Sequence, residues 1–267
     1  MNGAIDIPLW RLGFAYLLFF LIFIIVWHKN LHIGKDMAVS VMRMTIQLAV
    51  LGSLLTFLFK LDLWYVISGI YLLMVFFASQ TVIKRSGLHF GGMYKILFPA
   101  ILAGCGSVLI IFILFIVHNE PWYDPRYFIP LSGMMLGNSM NGSVLALERF
   151  YEEIRQNRRQ IETWIALGAT AREASQDAFR KAYRASLIPM LTNMTGMGLV
   201  FLPGMMTGQI LGGSPPLTAI KYQIAIMAGI LTSIALTAYI ILKLEHGHFF
   251  DHYHLPKENI FGLAKQK

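Results

Sequence analysis

Seven long apolar stretches constrain the fold of this chain more than any other feature of its sequence. Each is close to the roughly 20 residues that a helix needs to cross the hydrocarbon core of a bilayer. The stretches cover residues 9–27, 37–58, 63–83, 96–117, 126–147, 188–211 and 219–243. Because lipid cannot satisfy exposed backbone polar groups, such stretches cross as helices. The sequence therefore predicts an all-α polytopic membrane protein, with about seven transmembrane helices in one domain over residues 1–267.

The charged residues support this prediction and orient the chain. Only 13% of the residues are charged, against about 25% in soluble domains. The net charge is +8, but all except five of the 22 Lys and Arg residues lie in loops and tails predicted on one side. Basic loops stay cytoplasmic, so we expect an outside N-terminus and a cytoplasmic C-terminus in the inner (plasma) membrane. The basic balance then reflects topology in a lipid bilayer and does not indicate a nucleic-acid partner.

The fifth and sixth stretches differ from the others because they are rich in Gly, Met, Asn, Ser and Thr. Small residues let helices approach closely, so tight packing between two interior helices is one interpretation. Amide side chains are costly when they face lipid, which favours a translocation pathway or a seam between subunits. The candidate residues for that pathway or seam are Met134, Asn138, Asn141, Asn193, Met197, Pro203, Gly204 and Gln209. The Pro203–Gly204 pair is also expected to kink or break the sixth helix.

Arg43 and Gln47 lie one helical turn apart in the second stretch. Arg43 is several residues inside the cytoplasmic end, so its guanidinium can reach back to the headgroups while its methylenes stay in the apolar region. This arrangement or a structural hydrogen bond is favoured. A gate or a contact with an anionic ligand is the functional alternative, and the two residues therefore join the candidates for the pathway or seam.

Residues 148–187 form a polar segment between the fifth and sixth stretches that cannot lie in lipid. Their pattern is helical, with an approximate apolar stripe. Gly168 is expected to end one helix in a left-handed conformation. Thr170 then caps the next helix, with Glu173 three residues on, as in a capping box. The sequence predicts a cytoplasmic arm of helix, sharp turn and helix. The alternative is an amphipathic hairpin that lies on the lipid surface.

The turn of this arm resembles a cytoplasmic loop in the membrane subunits of ABC importers. The pattern of that loop is E-A-A-x-x-x-G, often continued as Gly-Ala-Thr. The matching residues are Glu162, Gly168, Ala169 and Thr170. Thr163 and Trp164 replace the two alanines of the pattern. In those subunits the short helix docks into a cleft of the ATPase, so the resemblance implies that residues from Glu162 to Glu173 couple ATP hydrolysis to the membrane helices.

A broader resemblance covers most of the chain. It is carried by Arg43-x-x-x-Gln47-Leu48, by LSGMMLGNSMNGS at 131–143 and by GLVFLPGMMTGQILGGSPPLTAIKYQIAIM at 198–227. These segments resemble the FetB-type iron export permease family, which includes plant aluminium-tolerance membrane subunits. The resemblance implies an ABC transporter permease that works with a separate ATPase subunit and exports iron or another metal species. It also implies a homodimer of permeases with two ATPase subunits.

The sequence contains no Gly-x-x-x-x-Gly-Lys-Ser/Thr loop that would cradle nucleotide phosphates, and no arrangement typical of a catalytic site. We therefore expect no enzyme activity and no cofactor in this chain, with ATP and Mg²⁺ bound by the partner ATPase. All 14 acidic residues lie outside the span interiors. Because proton- or cation-coupled carriers usually place an acid at membrane depth, this distribution disfavours a secondary carrier.

Histidines cluster in the C-terminal tail, in the segment HGHFFDHYH. The candidate metal ligands there are His246, His248, His252 and His254. Imidazole is a ligand for borderline metals such as zinc, copper and iron, so the tail is a candidate loading site for an exporter. The alternative is a polar tail whose aromatic residues touch the headgroups.

Three other functions remain open at this point. An ABC permease with these Met- and amide-rich helices could move an organic solute, such as a sugar-nucleotide or a lipid-like compound. A secondary carrier or channel would transport without ATP. A membrane scaffold or sensor would bind a partner through the arm and transport nothing.

Overall fold

The computed structural model describes residues 7–30, 33–59, 63–88 and 92–250 of the chain. Within these ranges helices account for most of the backbone, and Met197 and Phe201 form an isolated β-bridge. The helices are α1 (Leu9–His28), α2 (Gly34–Leu58), α3 (Trp64–Ser86), α4 (Met93–Ile111), α5 (Pro125–Gln156), α6 (Arg158–Ala166), α7 (Ala171–Ala174), α8 (Gln176–Gly196), α9 (Gly204–Leu211) and α10 (Pro216–Phe249). A π-helix over Phe112–Val117 continues α4. The predicted all-α class is confirmed.

Five helices in the described part of the chain are long and apolar enough to cross a membrane. They are Trp10–His28, Gly34–Leu58, Trp64–Ser86, Met93–Val117 and Pro216–Glu245. They correspond to the first four predicted spans and the seventh. The other two predicted spans, 126–147 and 188–211, lie in α5 and in α8 with α9, where Gly, Ser, Asn and Thr residues lower the hydropathy. The protein is polytopic, and a total of seven spans stays a prediction.

Contacts within the chain divide it into two compact units. The first unit contains residues 1–62 and 208–215. In it α1 contacts α2, and the Tyr16 hydroxyl lies 2.7 Å from the Thr45 hydroxyl. The second unit contains residues 63–207 and 216–267. The polar arm and the interruption between α8 and α9 both belong to the second unit.

Helix α5 is the centre of the second unit because it packs against α3, α4, α8 and α10. It begins where Asp124 accepts a hydrogen bond from the Arg126 N–H at 2.9 Å and Pro125 occupies the first helical position. Both features are typical of helix starts. Its side chains with no exposed surface include Ala146, Leu147, Phe150 and Ile154. The arm continues directly from α5, so the core of this unit fixes where the arm begins.

Close helix packing on α5 is clearest at Gly142. A Cβ atom at this position would lie 2.6 Å from Ile234 Cγ2 on α10 and 3.4 Å from the Ser186 carbonyl oxygen on α8. The first of these distances is too short for a real side chain without movement of a neighbour. Three helices therefore meet at Gly142, and the closest of these approaches is to α10 and not to the sixth stretch.

A buried polar cluster joins α4, α5 and α10. The Ser139 and Ser233 hydroxyls lie 2.6 Å apart, and the Ser233 hydroxyl donates to Cys105 Sγ at 3.1 Å. Cys105 Sγ also lies 3.6 Å from the Thr237 hydroxyl. The cluster satisfies polar groups that would otherwise be costly inside the unit. Cys105 is free and buried, as its position in an apolar stretch suggests.

Aromatic contacts place the C-terminal end of α10 beside the start of the arm. The rings of Phe249 and Phe150 are 5.3 Å apart and nearly perpendicular. Tyr239, also on α10, packs edge-on against Phe179 of α8, with the ring centroids 6.0 Å apart. The arm and the end of α10 therefore lie at the same end of the second unit. This agrees with their predicted location on one face of the membrane, although which face it is stays a prediction.

Candidate functional site

The sharp turn predicted in the arm is present between α6 and α7. Gly168 has φ +96°, in the left-handed region that favours glycine. Its N–H donates to the Ile165 carbonyl at 2.9 Å, and the Ala169 N–H donates to the Trp164 carbonyl at 3.0 Å. These two bonds form a Schellman motif, which closes the end of a helix. The prediction that Gly168 ends a helix in this way is confirmed.

The capping box predicted at the next helix is also present. The Glu173 N–H donates to the Thr170 hydroxyl at 3.3 Å, and the Thr170 N–H donates back to Glu173 Oε2 at 2.9 Å. The Thr170 hydroxyl and Glu173 Oε2 are 2.8 Å apart. The order of Gly168, Ala169 and Thr170 is thus explained by the hydrogen bonds at the two helix ends. Its first two residues close α6, and its third opens α7.

The bonds from Thr170 have an electrostatic consequence for Glu173. Donation from the Thr170 N–H, and then from its hydroxyl, holds the pKa of the Glu173 carboxyl below its usual value of 4.5. Because the pKa of Glu173 is lowered in the folded state, its charged carboxylate stabilises the capping box fully at pH values above the usual pKa. This stabilisation is lost as the pH falls through the lowered pKa of Glu173 and the carboxylate is protonated.

We therefore expect the turn to loosen in acid. Hydrogen exchange of peptides covering residues 163–175, corrected for the intrinsic effect of pH, should show protection of the Thr170 amide that is constant above pH 4.5 and falls below it. In a Glu173→Ala variant, protection at neutral pH should be low and should change little on acidification. Unchanged protection of the wild-type amide down to strongly acidic pH would contradict the proposed role of this carboxylate.

Glu162, the acid of the matched loop pattern, lies on the side of α6. Its Oε1 is 2.7 Å from Arg158 Nε, one helical turn earlier. Both side chains are partly exposed, so this ion pair adds little to stability. Glu162 therefore remains available as a charged surface group near the turn.

A buried carboxylate that the sequence analysis did not single out holds the arm together. Glu153, near the end of α5, has a side chain only 4% exposed. Its carboxylate lies 2.6 Å from Arg149 Nη2 and 2.8 Å from Lys181 Nζ on α8. The Asn157 amide donates to Glu153 Oε2 at 3.1 Å. Because Lys181 is 28 residues away in sequence, no local pattern indicates this contact.

An open cleft of about 430 Å³ lies between the end of α5 and helices α6, α7 and α8. Glu153, Ile161, Trp164, Ala169 and Glu173 are among its lining residues. The tip of the turn carries exposed apolar side chains, since Leu167 is 76% exposed and Trp164 is 52% exposed. The tip of the turn therefore presents two apolar side chains to the outside, beside the polar cleft.

The sixth stretch is broken, as predicted, but its first helix ends before the Pro203–Gly204 pair. Helix α8 ends at Gly196 and α9 begins at Gly204. Between them the chain makes a tight turn, in which Gly198 has φ +79° and its N–H donates to the Phe201 carbonyl at 3.0 Å. Proline at 203 cannot continue a helix hydrogen-bond ladder, and it stands immediately before α9.

Two of the predicted pathway residues meet at this break. Met197 and Pro203 line a cavity of about 420 Å³ together with side chains of α8, α9 and α10. Gly204 is the first residue of α9 and is exposed. Gln209 lies further along α9 and is half-buried. The predicted role of these residues in a pathway or seam stays a prediction.

The other pathway candidates do not line this cavity. On α5, the Asn138 amide donates to the Met134 carbonyl of its own helix at 2.8 Å, and Asn141 is exposed. Asn193 is exposed on α8. Exposed amides on helices of low hydropathy fit a surface that is covered by protein or water better than one that faces lipid. The last two pathway candidates, Arg43 and Gln47, are exposed side chains of α2 in the first unit.

The predicted histidine site lies outside the part of the chain that can be described. His252 and His254 fall beyond residue 250, and only the backbone is described at His246 and His248. Among the side chains that the structure describes, no group of three or more His, Cys, Asp or Glu residues is placed to hold a metal ion.

Long apolar helices, polar-rich helices α5 and α8, and a capped hairpin between them define the class as an all-α polytopic membrane protein. The chain belongs to the family described as "Uncharacterised protein family (UPF0014)", whose model matches residues 9–250. A UPF0014 membrane protein of Synechocystis is 38% identical, over 78% of this chain and 81% of the relative. No solved structure matches the chain.

Two further relatives connect the chain to the family named from its sequence. The probable iron export permease protein FetB of Escherichia coli is 34% identical, over 86% of this chain and 88% of the relative. Protein ALUMINUM SENSITIVE 3 of Arabidopsis thaliana is 35% identical, over 76% and 73%. The resemblance to the FetB-type family, with its plant members, is therefore confirmed.

Proposed function

We propose that this chain is the permease subunit of an ABC transporter that exports a metal species, with iron as the first candidate. ATP is hydrolysed by a separate ATPase subunit, and the permease itself has no enzyme activity. The working assembly contains two permeases and two ATPase subunits in the plasma membrane, with the arm on the cytoplasmic side. The metal is the cargo of this protein and not a resident cofactor.

The observation that carries the proposal is the arm. Its α6–turn–α7 unit combines the Schellman motif at Gly168 with the capping box at Thr170, so the turn is held in one conformation. The Glu153 carboxylate ties the end of α5 to α8. A partner that moves the exposed tip would therefore move α5 and α8 together. These are the helices that carry most of the candidate pathway residues.

The choice of a metal cargo is supported by a relative whose name describes iron export. Glu162, Gly168, Ala169, Thr170 and Glu173 are assigned to the contact with the ATPase. Residues on α5, α8 and α9 are assigned to the pathway or to the seam between the two permeases, with Arg43 and Gln47 of α2.

Transport in inside-out vesicles tests this function. The chain is purified from native membranes, its ATPase companion is identified by mass spectrometry, and the pair is co-expressed. Vesicles with both subunits should accumulate radioactive iron when ATP is present. They should not do so with a non-hydrolysable analogue, or when the ATPase lacks its phosphate-binding lysine.

Different failures of this experiment point to different errors. Accumulation without ATP or without the ATPase would identify a secondary carrier and overturn the coupling. ATP-dependent transport of other solutes but not of iron would overturn the cargo and leave the coupling intact. Purification without any ATPase companion would remove the basis for both.

A further inference from the structure

The break between α8 and α9 creates a cavity with an unusual lining. Its volume is about 420 Å³, and all of its lining residues belong to the second unit. Four of them are methionines: Met194, Met197, Met206 and Met227. They come from the last turn of α8, the interruption itself, α9 and α10. The cavity therefore collects thioether groups from four separate segments of the chain.

A buried polar atom accompanies these thioethers. Gln223 of α10 also lines the cavity and is only 6% exposed. Its Oε1 atom is buried and has no hydrogen-bond partner among the described residues. A buried acceptor without a partner costs about 1–3 kcal/mol. Because Gln223 lines the cavity, a rotation of its side chain that brings Oε1 to a bound donor or cation would relieve that cost.

The donor set excludes hard ions and favours soft ones. No carboxylate or imidazole lines this cavity, so the oxygen cage required by Ca²⁺ or Mg²⁺ is absent from its lining. Thioethers are soft ligands and select Cu(I) over harder metals. The lining is also neutral, and the cost of moving an ion from water rises steeply with its charge. A monovalent soft cation meets both conditions.

We infer that the cavity at the α8–α9 break is a thioether site for a soft monovalent cation, Cu(I) or its analogue Ag(I). The ligands are the sulfur atoms of the four methionines, with the Gln223 oxygen as an auxiliary donor. The cavity is wider than one ion, so the methionine side chains turn inward on binding. Their three rotatable bonds permit this movement. The inference goes beyond the proposed export of iron and does not depend on it.

Equilibrium binding to the purified full-length chain tests this site without the ATPase and without transport. The protein in detergent is titrated anaerobically against the coloured Cu(I)–bicinchoninate complex. Every titration uses a background in which the four tail histidines are replaced by Asn, so that the tail cannot contribute. The chain should remove about one Cu(I) ion from the chelator.

Met→Leu substitutions separate sulfur chemistry from apolar volume, because the two side chains are close in size. Replacing all four cavity methionines should weaken Cu(I) binding by about 100-fold or more, and Gln223→Leu should have a smaller effect in the same direction. The matched control replaces four methionines outside the cavity: Met37, Met42, Met44 and Met140. That control should bind Cu(I) like the background protein.

A second measurement tests the site without the fourfold substitution, in case that variant does not fold. Methyl-labelled methionine gives one NMR signal for each side chain, and Ag(I) should shift the signals of the four cavity methionines in the otherwise native chain. The inference is overturned if the background protein removes no Cu(I) from the chelator. It is also overturned if the fourfold cavity variant binds like the control, or if Ag(I) shifts methionine signals only outside the cavity.

Discussion

A Gly168→Pro substitution is expected to abolish stimulation of the partner ATPase while membrane insertion continues. Gly168 has φ +96°, whereas proline fixes φ at about −65° and removes the N–H group. The hydrogen bond from that N–H to the Ile165 carbonyl closes α6, so both the turn and the end of the helix are lost. The measurement is ATP turnover by the reconstituted pair, with the amount of permease in the membrane measured in parallel.

A matched pair of Gly→Ala substitutions tests whether the turn conformation is responsible. Gly168→Ala should reduce stimulation partially, because a left-handed alanine costs about 1–2 kcal/mol. Gly69→Ala should have no effect, since Gly69 is helical, exposed and has open space around its Cβ position. Normal ATP turnover in the Gly168→Pro variant would count against the assignment of the arm as the coupling element.

A Glu153→Ala substitution is expected to destabilise the second unit by about 1–3 kcal/mol. The substitution leaves Arg149, Lys181 and Asn157 without their shared acceptor. The estimate lies below that for a fully buried ion pair because the two cationic side chains are 44% and 50% exposed. Thermal unfolding of the purified protein in detergent measures the loss, and limited proteolysis of residues 157–175 shows whether the arm detaches first.

The neighbouring acid provides the control for this prediction. Glu152 is 52% exposed and lies 3.4 Å from Arg149 Nη1, so Glu152→Ala should change stability by no more than about 0.5 kcal/mol. A double-mutant cycle of Glu153→Ala with Lys181→Ala should give a coupling energy between α5 and α8 of about 0.5–3 kcal/mol. A coupling energy of zero would mean that the observed ion pair does not hold the arm in place.

Features set by neighbouring residues were predictable from the sequence. The turn at Gly168 and the capping box of Thr170 and Glu173 depend on spacings of two or three residues, and both are present. The sixth stretch is broken as predicted, but α8 already ends at Gly196, so Pro203 accounts for where α9 begins and not for where α8 ends. At the turn and the capping box, the local hydrogen bonds are strong enough that distant packing does not overrule them.

Features that depend on packing between distant segments were not predictable. Glu153 looks like any other acid in a charged helix until α8 places Lys181 beside it. The thioether cavity was indicated only in part, through Met197 and Pro203, because Gln223 and Met227 come from α10. The one available signal was the concentration of methionines in the fifth and sixth stretches.

Hydropathy alone does not settle the number of membrane spans, because α5 is not among the five helices that are apolar enough to be recognised by it. Helix α5 packs against α3, α4, α8 and α10, so much of its surface is covered by protein. Gly142 and Ser139 serve those contacts, and such residues lower the hydropathy of the helix. A helix buried inside a membrane bundle can therefore be less apolar than one that faces lipid.

The most direct test of the central claim is photo-crosslinking from the tip of the arm in living cells. A benzophenone amino acid is introduced at Leu167, or at Leu217 at the opposite end of α10 as the control. The two positions are similarly exposed, at 76% and 74%. If the arm binds an ATPase, position 167 but not position 217 should give an adduct whose partner contains nucleotide-binding motifs by mass spectrometry. The absence of such a partner at 167, or equal labelling from 217, would contradict this binding.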